Sequence, residues 1–408
     1  MIRGSAHLQH RAGRRLAIGA TLFGLTLTAC SPGGVTARPA TTSATTSATT
    51  SATAETATPA HSFTLVATGD VLLHPGLWTQ ARQDAKLTGH GPMDFAPMLA
   101  GVGPYVASAD LAICHLETPL AGATGPFRGY PDFSGPPQIA TALATTGYDA
   151  CSTASNHTLD QGSGGIKRTL DTLDSVGIAH AGSARGQSES RRITMLNANG
   201  VKVAFLSYAY GFNGHNYPGG QRWRANVIDK TRILADARRA RADGAQVVVL
   251  AMHWGTEYRQ VPSAQQRQLA PVLARSGVID LIISHHAHVV EPIQRIGKTW
   301  VVYGLGNLIA LHSTPGATNA EGLLVRFTFT RSPDGRYTAS RAEYVPLLVT
   351  KAAPIRLLDV PGALERKSYG SSTAQRLREA LARTTRVVLD LGAGKQGLAP
   401  AATAAGSG

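Results

Sequence analysis

The chain has 408 residues, with 39 basic against 25 acidic side chains, a formal charge of +14, 43% apolar residues and only 6% aromatics. That composition excludes collagen, coiled-coil and wholly disordered chains, and three cysteines are too few for a disulfide-dense small scaffold. Arginine far outnumbers lysine, as GC-rich coding alone would give, and no RRM, zinc-finger or basic-helix pattern accompanies the charge, so no nucleic-acid partner is expected.

Residues 1–30 read as a lipoprotein signal peptide. Arg11, Arg14 and Arg15 precede an apolar run, Leu16 to Ala29, that is too short to span a bilayer stably. The run ends at Leu27-Thr28-Ala29-Cys30, which resembles the lipobox of bacterial lipoproteins and implies lipidation of Cys30. Two acyl chains there would anchor the protein to the outer face of the cell membrane, an extracytoplasmic location. Residues 31–60 repeat Thr, Ser and Ala with a single acid, Glu55, and read as a flexible tether.

From Phe63 the pattern changes to short apolar runs that end in Gly, Asp, Asn or His. Phe63 to Thr68 leads to Gly69-Asp70, Asp110 to Cys114 to His115-Leu116-Glu117, and Asp149 to Ala154 to Asn156-His157. Further on, Gln246 to Ala251 leads to His253-Trp254, and Asp280 to Ile283 to His285-His286-Ala287-His288. Continuous runs of this length suit strands buried on both faces, and helical stretches near Ile139 to Thr146, Gly165 to Val176, Lys230 to Asp243 and Ala264 to Ser276 separate several of them. Arg192 to Leu196, Val201 to Tyr208, Val289 to Ile296, Thr299 to Tyr303 and Gly322 to Thr330 read as additional strands, with turns at Asn199-Gly200 and Gly297. The expectation is an α/β fold, a layered sandwich of two mixed sheets with outer helices, over residues 61–350. Residues 351–408 read as an Ala/Arg-rich tail, helical from Ser372 to Leu389 and then disordered. Cys114 and Cys151 fall on neighbouring candidate strands, and the sequence leaves their pairing open.

Ligands in such folds collect beyond the carboxyl ends of the strands. Asp70, Glu117, Asn156, His253, His285 and His288 offer carboxylate, amide and imidazole donors there, the set that a pair of water-activating divalent ions requires. Imidazole favours Mn, Fe or Zn over magnesium or calcium. His157 follows a proposed ligand directly and suits a general acid or oxyanion partner, with Asp160 placed to orient it. Taken singly, Gly69-Asp70 also suits a turn, Asn156 a helix cap and His253 a packed histidine. Three imidazoles within four residues at one strand end are harder to explain by packing, although His286 is expected to point away from its neighbours.

Six segments, in order, are similar to the CapA family of poly-γ-glutamate capsule proteins: Gly69-Asp70-Val71, Leu116-Glu117-Thr118-Pro119-Leu120, Ser155-Asn156-His157 through Gly162, His253-Trp254-Gly255-Thr256-Glu257-Tyr258, Ser284 through Val290, and Tyr303-Gly304-Leu305-Gly306-Asn307. That family itself resembles calcineurin-like metallophosphoesterases. The resemblance covers about Ser62 to Val349 and implies a four-layer α/β/β/α sandwich, a metal site on the six ligand positions above, and an anionic envelope polymer such as poly-γ-glutamate as partner, with a capsule-synthesis membrane complex beside it. It also implies that Glu257 and Tyr258 face substrate. This chain departs from the pattern at His115 for Asn, Ser284 for Gly, Ala287 for Pro and Gly304 for Ser, and its Asp70-Val71-Leu72 lacks the usual His, with His74 displaced by two positions. His74 from the following loop, or His115, is left to compensate at the substrate-facing side. Two readings follow: a lipid-anchored metal-dependent hydrolase of the phosphoesterase type, and a non-catalytic polymer-binding or export component. Arg128, Tyr130, Arg222 and Arg224, on two irregular stretches, are candidates for the rim of a groove.

Overall fold

A computed structural model of the chain describes residues 62–313 and 316–403. The segments read as signal peptide and tether, with Cys30, lie outside the described residues.

Four strands, β1 (Ser62–Val71), β2 (Leu111–Leu116), β3 (Ala150–Ser152) and β4 (Ala179–Ala181), run parallel. The hairpin of β5 (Thr194–Ala198) and β6 (Val201–Ala209) turns at Asn199-Gly200, both with positive φ as a tight two-residue turn demands. Strands β7 (Val247–Trp254) and β8 (Leu281–His286) continue parallel to β6, and β9 (Ile293–Ile296) and β10 (Thr299–Val302) form a hairpin about Gly297. The chain closes with β11 (Asn307–Ile309), β12 (Glu321–Arg331), β13 (Tyr337–Val349), β14 (Leu357–Asp359) and β15 (Leu398–Pro400). Two mixed sheets result. One has the order β14-β13-β12-β1-β2-β3-β4, with β11 beside β1 and β15 beside β13, and the other has β5-β6-β7-β8-β10-β9.

Alternation along each strand builds the layers. Phe63, Leu65 and Ala67 of β1 face Val201, Val203 and Phe205 of β6 and Val247 and Val249 of β7 in a core between the sheets. The opposite face of the first sheet, Val66, Ala112 and Cys114, packs on α1 (Pro75–Thr88), α2 (Ala96–Leu99), α3 (Gly103–Ala107) and α4 (Gln138–Thr146). Beyond α5 (Gly162–Ser175) and α6 (Gln187–Ser190), the outer face of the second sheet, Ala204, Val248 and Leu250, packs on α7 (Lys230–Ala242) and α8 (Ala264–Ala274). The protein is therefore an α/β/β/α sandwich of two mixed sheets. Cys114 and Cys151, in register on β2 and β3, are joined by a disulfide and fully buried.

Two expectations need correction. Val289 to Ile296 does not form one strand: after the positive-φ bends at His286 and His288, Val290 makes an isolated bridge to Leu305, and the β9 strand proper starts at Ile293. Residues 351–403 are not a loose tail with a helix followed by disorder; residues 404–408 lie outside the described residues. Strand β14 pairs with one edge of β13, and β15 runs parallel beside it. Helices α9 (Val360–Glu365) and α10 (Ala374–Leu389) bury Val360, Leu377 and Ala380 against Leu348. Arg376 and Arg383 of α10 close on the buried carboxylate of Glu321, at 2.6 and 2.7 Å. No helix among the described residues is long and apolar enough to cross a membrane.

Candidate metal centre

The parallel strands of both sheets release their last residues at one edge, and the register decides what meets there. Asp70 pairs with His115 across β1 and β2, His115 with Ser152 across β2 and β3, and His253 with His285 across β7 and β8. Asp70 is also paired with Asn307 of β11, through an Asp70 N–H to Gly306 carbonyl bond of 2.9 Å. That approach requires the glycine at 69, where a Cβ would stand 2.0 Å from the Gly306 oxygen.

Asp70 is the hub. Its Oδ1 lies 3.1 Å from His285 Nδ1 and its Oδ2 lies 3.2 Å from His288 Nδ1, while the His286 N–H donates to Oδ2 at 3.2 Å. Two groups of potential ligands share it: Asp70 with His115 and His285, and Asp70 with Glu117 and His288, each with ligand atoms within 4.8 Å of one another. Glu117 Oε1 stands 3.7 Å from His288 Nε2 and 3.9 Å from His253 Nε2, and His253 Nε2 meets Asn156 Oδ1 at 2.8 Å. The other His253 nitrogen lies 3.0 Å from His115 Nε2, whose Nδ1 is 2.7 Å from Ser152 Oγ. His157 sits at the side, its Nδ1 2.7 Å from Asp160 Oδ2, which also accepts the Phe133 N–H at 2.8 Å.

Burial and charge act against each other here. Burial alone would raise the Asp70 carboxyl, but hydrogen bonds from His285 and His288 overrule it and hold Asp70 well below the usual carboxylate range. Glu117 has no such hydrogen bonds. Burial pushes it well above its ordinary value; His288 opposes that lift, while Asp70 and Glu257 add to it. Burial would disfavour a charged His288, yet the carboxylates of Glu117 and Asp70 lift it to about 9. Three neighbouring imidazoles are driven the other way: burial, aided by neighbouring imidazolium charge, lowers His115 and His253 well below normal and His286 to about 3. Neutral imidazoles are what a cation accepts as ligands.

The donor set passes a direct test of fit. Both oxygens of Glu117 and the Nε2 of His285 are buried and have no hydrogen-bond partner among the described residues. An orphaned buried carboxylate is costly unless a cation shares it. Asp70, Glu117, Asn156, His253, His285 and His288 are all brought together. His115, expected on the substrate-facing side, is fully buried within the cluster and stacks on His285 at 4.1 Å between ring centroids. His74 stays outside it, accepting the Leu311 N–H at 3.2 Å, and reaches the cluster through the rings of His312 and Phe133. His286 does not point away: its ring lies 4.8 Å from that of His253 and 4.6 Å from that of Tyr210. Tyr258 reaches His312 with its hydroxyl at 3.2 Å, while Glu257 is exposed. Tyr130 and Arg128 project into solvent, and Arg222 and Arg224 lie over the rings of Tyr217 and Trp223.

Sequence reasoning missed Asn307, whose Oδ1 is 3.1 Å from His288 Nδ1 and whose amide donates to the carbonyls of His288 and Asn319. The signal was present, since Asn307 closes a recognised motif. It also missed His312 and the Tyr210-Asn213 pair, where Asn156 donates to Asn213 Oδ1 at 3.3 Å.

Residues 64–311 match the model of a family described as bacterial capsule synthesis protein PGA_cap. The chain is 26% identical over 217 residues to the capsule biosynthesis protein CapA of Bacillus anthracis, which covers 51% of this chain and 52% of that protein. It is 27% identical over 213 residues to the PGA biosynthesis protein CapA of Bacillus subtilis, covering 52% and 54%. The chain thus spans about half the length of the curated relatives it matches. Among solved structures it is similar to a putative 5′-nucleotidase from Staphylococcus aureus, at 15% identity and a TM-score of 0.44 over 70% of this chain and 54% of that one. A calcineurin-like phosphoesterase, YfkN from Bacillus subtilis, gives 16% identity and a TM-score of 0.37 over 81% and 99%.

Proposed function

Because the chain belongs to the bacterial capsule synthesis protein family PGA_cap, we propose that it is a metal-dependent hydrolase of the phosphoesterase type that acts on an anionic envelope polymer such as poly-γ-glutamate. In this reading lipidated Cys30 anchors it to the outer face of the cell membrane, beside a capsule-synthesis membrane complex. The observation that carries the reading is the buried, unpartnered Glu117 carboxylate set against Asp70 and His288.

Asp70, His115 and His285 would hold one ion, and Asp70, Glu117 and His288 a second, with Asn156 and His253 alongside. Bound Mn, Fe or Zn supplies Lewis-acid polarisation of the scissile group and a nucleophile from water near neutral pH. His157, fixed through Nδ1 by Asp160, presents Nε2 to give a proton to the leaving atom, the oxygen of a phosphoester or the amide nitrogen of a γ-glutamyl link. Tyr258 and Glu257, beside His312 and the exposed rim, orient the substrate, and the excess of basic charge draws an anionic chain towards the domain.

Metal analysis with turnover assays tests this. The wild type is expected to carry near-stoichiometric Mn, Fe or Zn, the His285→Ala/His288→Ala variant to lose it, and His157→Ala to keep the metal while phosphodiester or γ-glutamyl turnover falls by about 10²-fold. A metal-free wild type would overturn the reading. Bound metal without turnover of either substrate would assign the protein to polymer binding instead.

A further inference from the structure

Outside the buried centre a second cluster joins Asp132, Asp160 and His215, one from each of three loops, with a ligand atom of each within 4.8 Å of the others. His215 Nε2 is 2.9 Å from Asp132 Oδ1 and 3.8 Å from Asp160 Oδ1. The two oxygens of Asp160 are used very differently. Oδ2 is engaged twice, by His157 Nδ1 and by the Phe133 N–H. Oδ1 belongs to a side chain that is 0% exposed, has no hydrogen-bond partner among the described residues, and is aimed at His215. Within one buried carboxylate, the oxygen that faces His157 is satisfied and the oxygen that faces the second cluster is left over. Such an orphan is expensive unless something positive shares it.

The three loops are held in place. Phe133, which pins itself to Asp160, is the neighbour of Asp132, so the two carboxylates cannot drift apart independently. Arg128 and Ser134 exchange two backbone hydrogen bonds that close the loop carrying Asp132, and Gln161 Nε2 donates to the Asp132 carbonyl at 3.3 Å. The His215 N–H donates to the Phe212 carbonyl at 2.8 Å. Asp132 and His215 remain 49% and 35% exposed, so an ion can reach this cluster from solvent without crossing the buried centre.

We propose that Asp132, Asp160 and His215 form an accessory, exchangeable site for a transition-metal dication of the zinc class. One imidazole nitrogen and two carboxylate oxygens are a three-ligand set that suits zinc with solvent completing its shell, and the imidazole disfavours magnesium and calcium. The site lies outside the buried ligand cluster but shares the Asp160 carboxylate, whose other oxygen orients His157, and it does not need the hydrolytic reading to be correct.

Equilibrium dialysis of the chelator-stripped protein against zinc, read by elemental analysis, tests it. In the His285→Ala/His288→Ala background the protein is expected to retain one zinc per chain, and adding Asp132→Asn or His215→Ala should weaken that zinc at least about tenfold. In the otherwise wild-type protein the same two substitutions should each lower the zinc count by one and leave the thermal unfolding midpoint of the stripped protein unchanged; excess magnesium should not displace the ion. If zinc uptake is the same with and without Asp132→Asn and His215→Ala in both backgrounds, the proposal is overturned. Loss of the buried ions is read independently from the His285→Ala/His288→Ala pair, so the two claims fail separately.

Discussion

Glu291 shows how a single side chain can set a pH limit. It is wholly buried, its Oε2 accepts from Gln266 Nε2 at 2.9 Å, and its Oε1 has no partner among the described residues. Burial pushes its carboxyl up to about 8, outweighing the opposing pull of the Gln266 bond. The folded state therefore holds this proton where the unfolded chain, near 4.5, has already lost it, so stability falls as pH rises from about 4.5 through about 8 and levels off beyond. Glu291→Gln should stay flat across that window. Its unfolding free energy should exceed that of the wild type at pH 8.5 by on the order of a few kcal/mol, and the gap should shrink towards pH 5. Gly304 belongs to the same story: a Cβ there would meet Glu291 Oε2 at 2.8 Å, which accounts for glycine where the resembled family carries serine. At this scale the sequence disclosed donor types at strand ends. It could not disclose His312 or the inward turn of His286, because those depend on loop bends and on which rings pack together.

Among the elements, the ones least legible in the sequence were those whose partners are distant. The strands after which Asp70, Glu117, His253 and His285 appear were readable as continuous apolar runs, because burial on both faces leaves no polar positions inside them. Strand β13 was not, since Ser340, Arg341 and Glu343 interrupt its alternation, and the buried Glu343 is paired with Arg326 and Arg341. Helix α10 was visible from its composition, but its docking was not: the carboxylate it neutralises, Glu321, lies 62 positions away from Arg383. Deleting residues 351–408 should therefore do more than trim an end. It would expose the β13 edge, uncover Leu348 and strip Glu321 of Arg376 and Arg383. The truncated chain is expected to aggregate or melt well below the full chain, as size-exclusion and thermal unfolding would show; an unchanged melting temperature would mean that α10 only rests on the surface.

For the molecule as a whole, the layered α/β fold was legible because strand and helix periods alternate along most of the chain, and the meeting of Asp70 with residues more than two hundred positions later follows from parallel strands that release their ends at one edge. What the whole adds is long-range charge. If the proposed polymer binds, its affinity measured by fluorescence anisotropy should weaken about tenfold or more between 50 mM and 500 mM salt, because the chain from Cys30 onward keeps a net positive charge and the screening length shrinks severalfold. Salt-independent binding would place recognition in short-range contacts instead. The bond between Cys114 and Cys151 carries a different implication. Both sulfurs are sealed beneath the sheet, so once the surrounding layers have closed, no external thiol or oxidant can attack them. The covalent form of each molecule is thus decided while the chain is still open, and batches matured under reducing and oxidising conditions would remain two distinct, non-interconverting populations for as long as they stay folded.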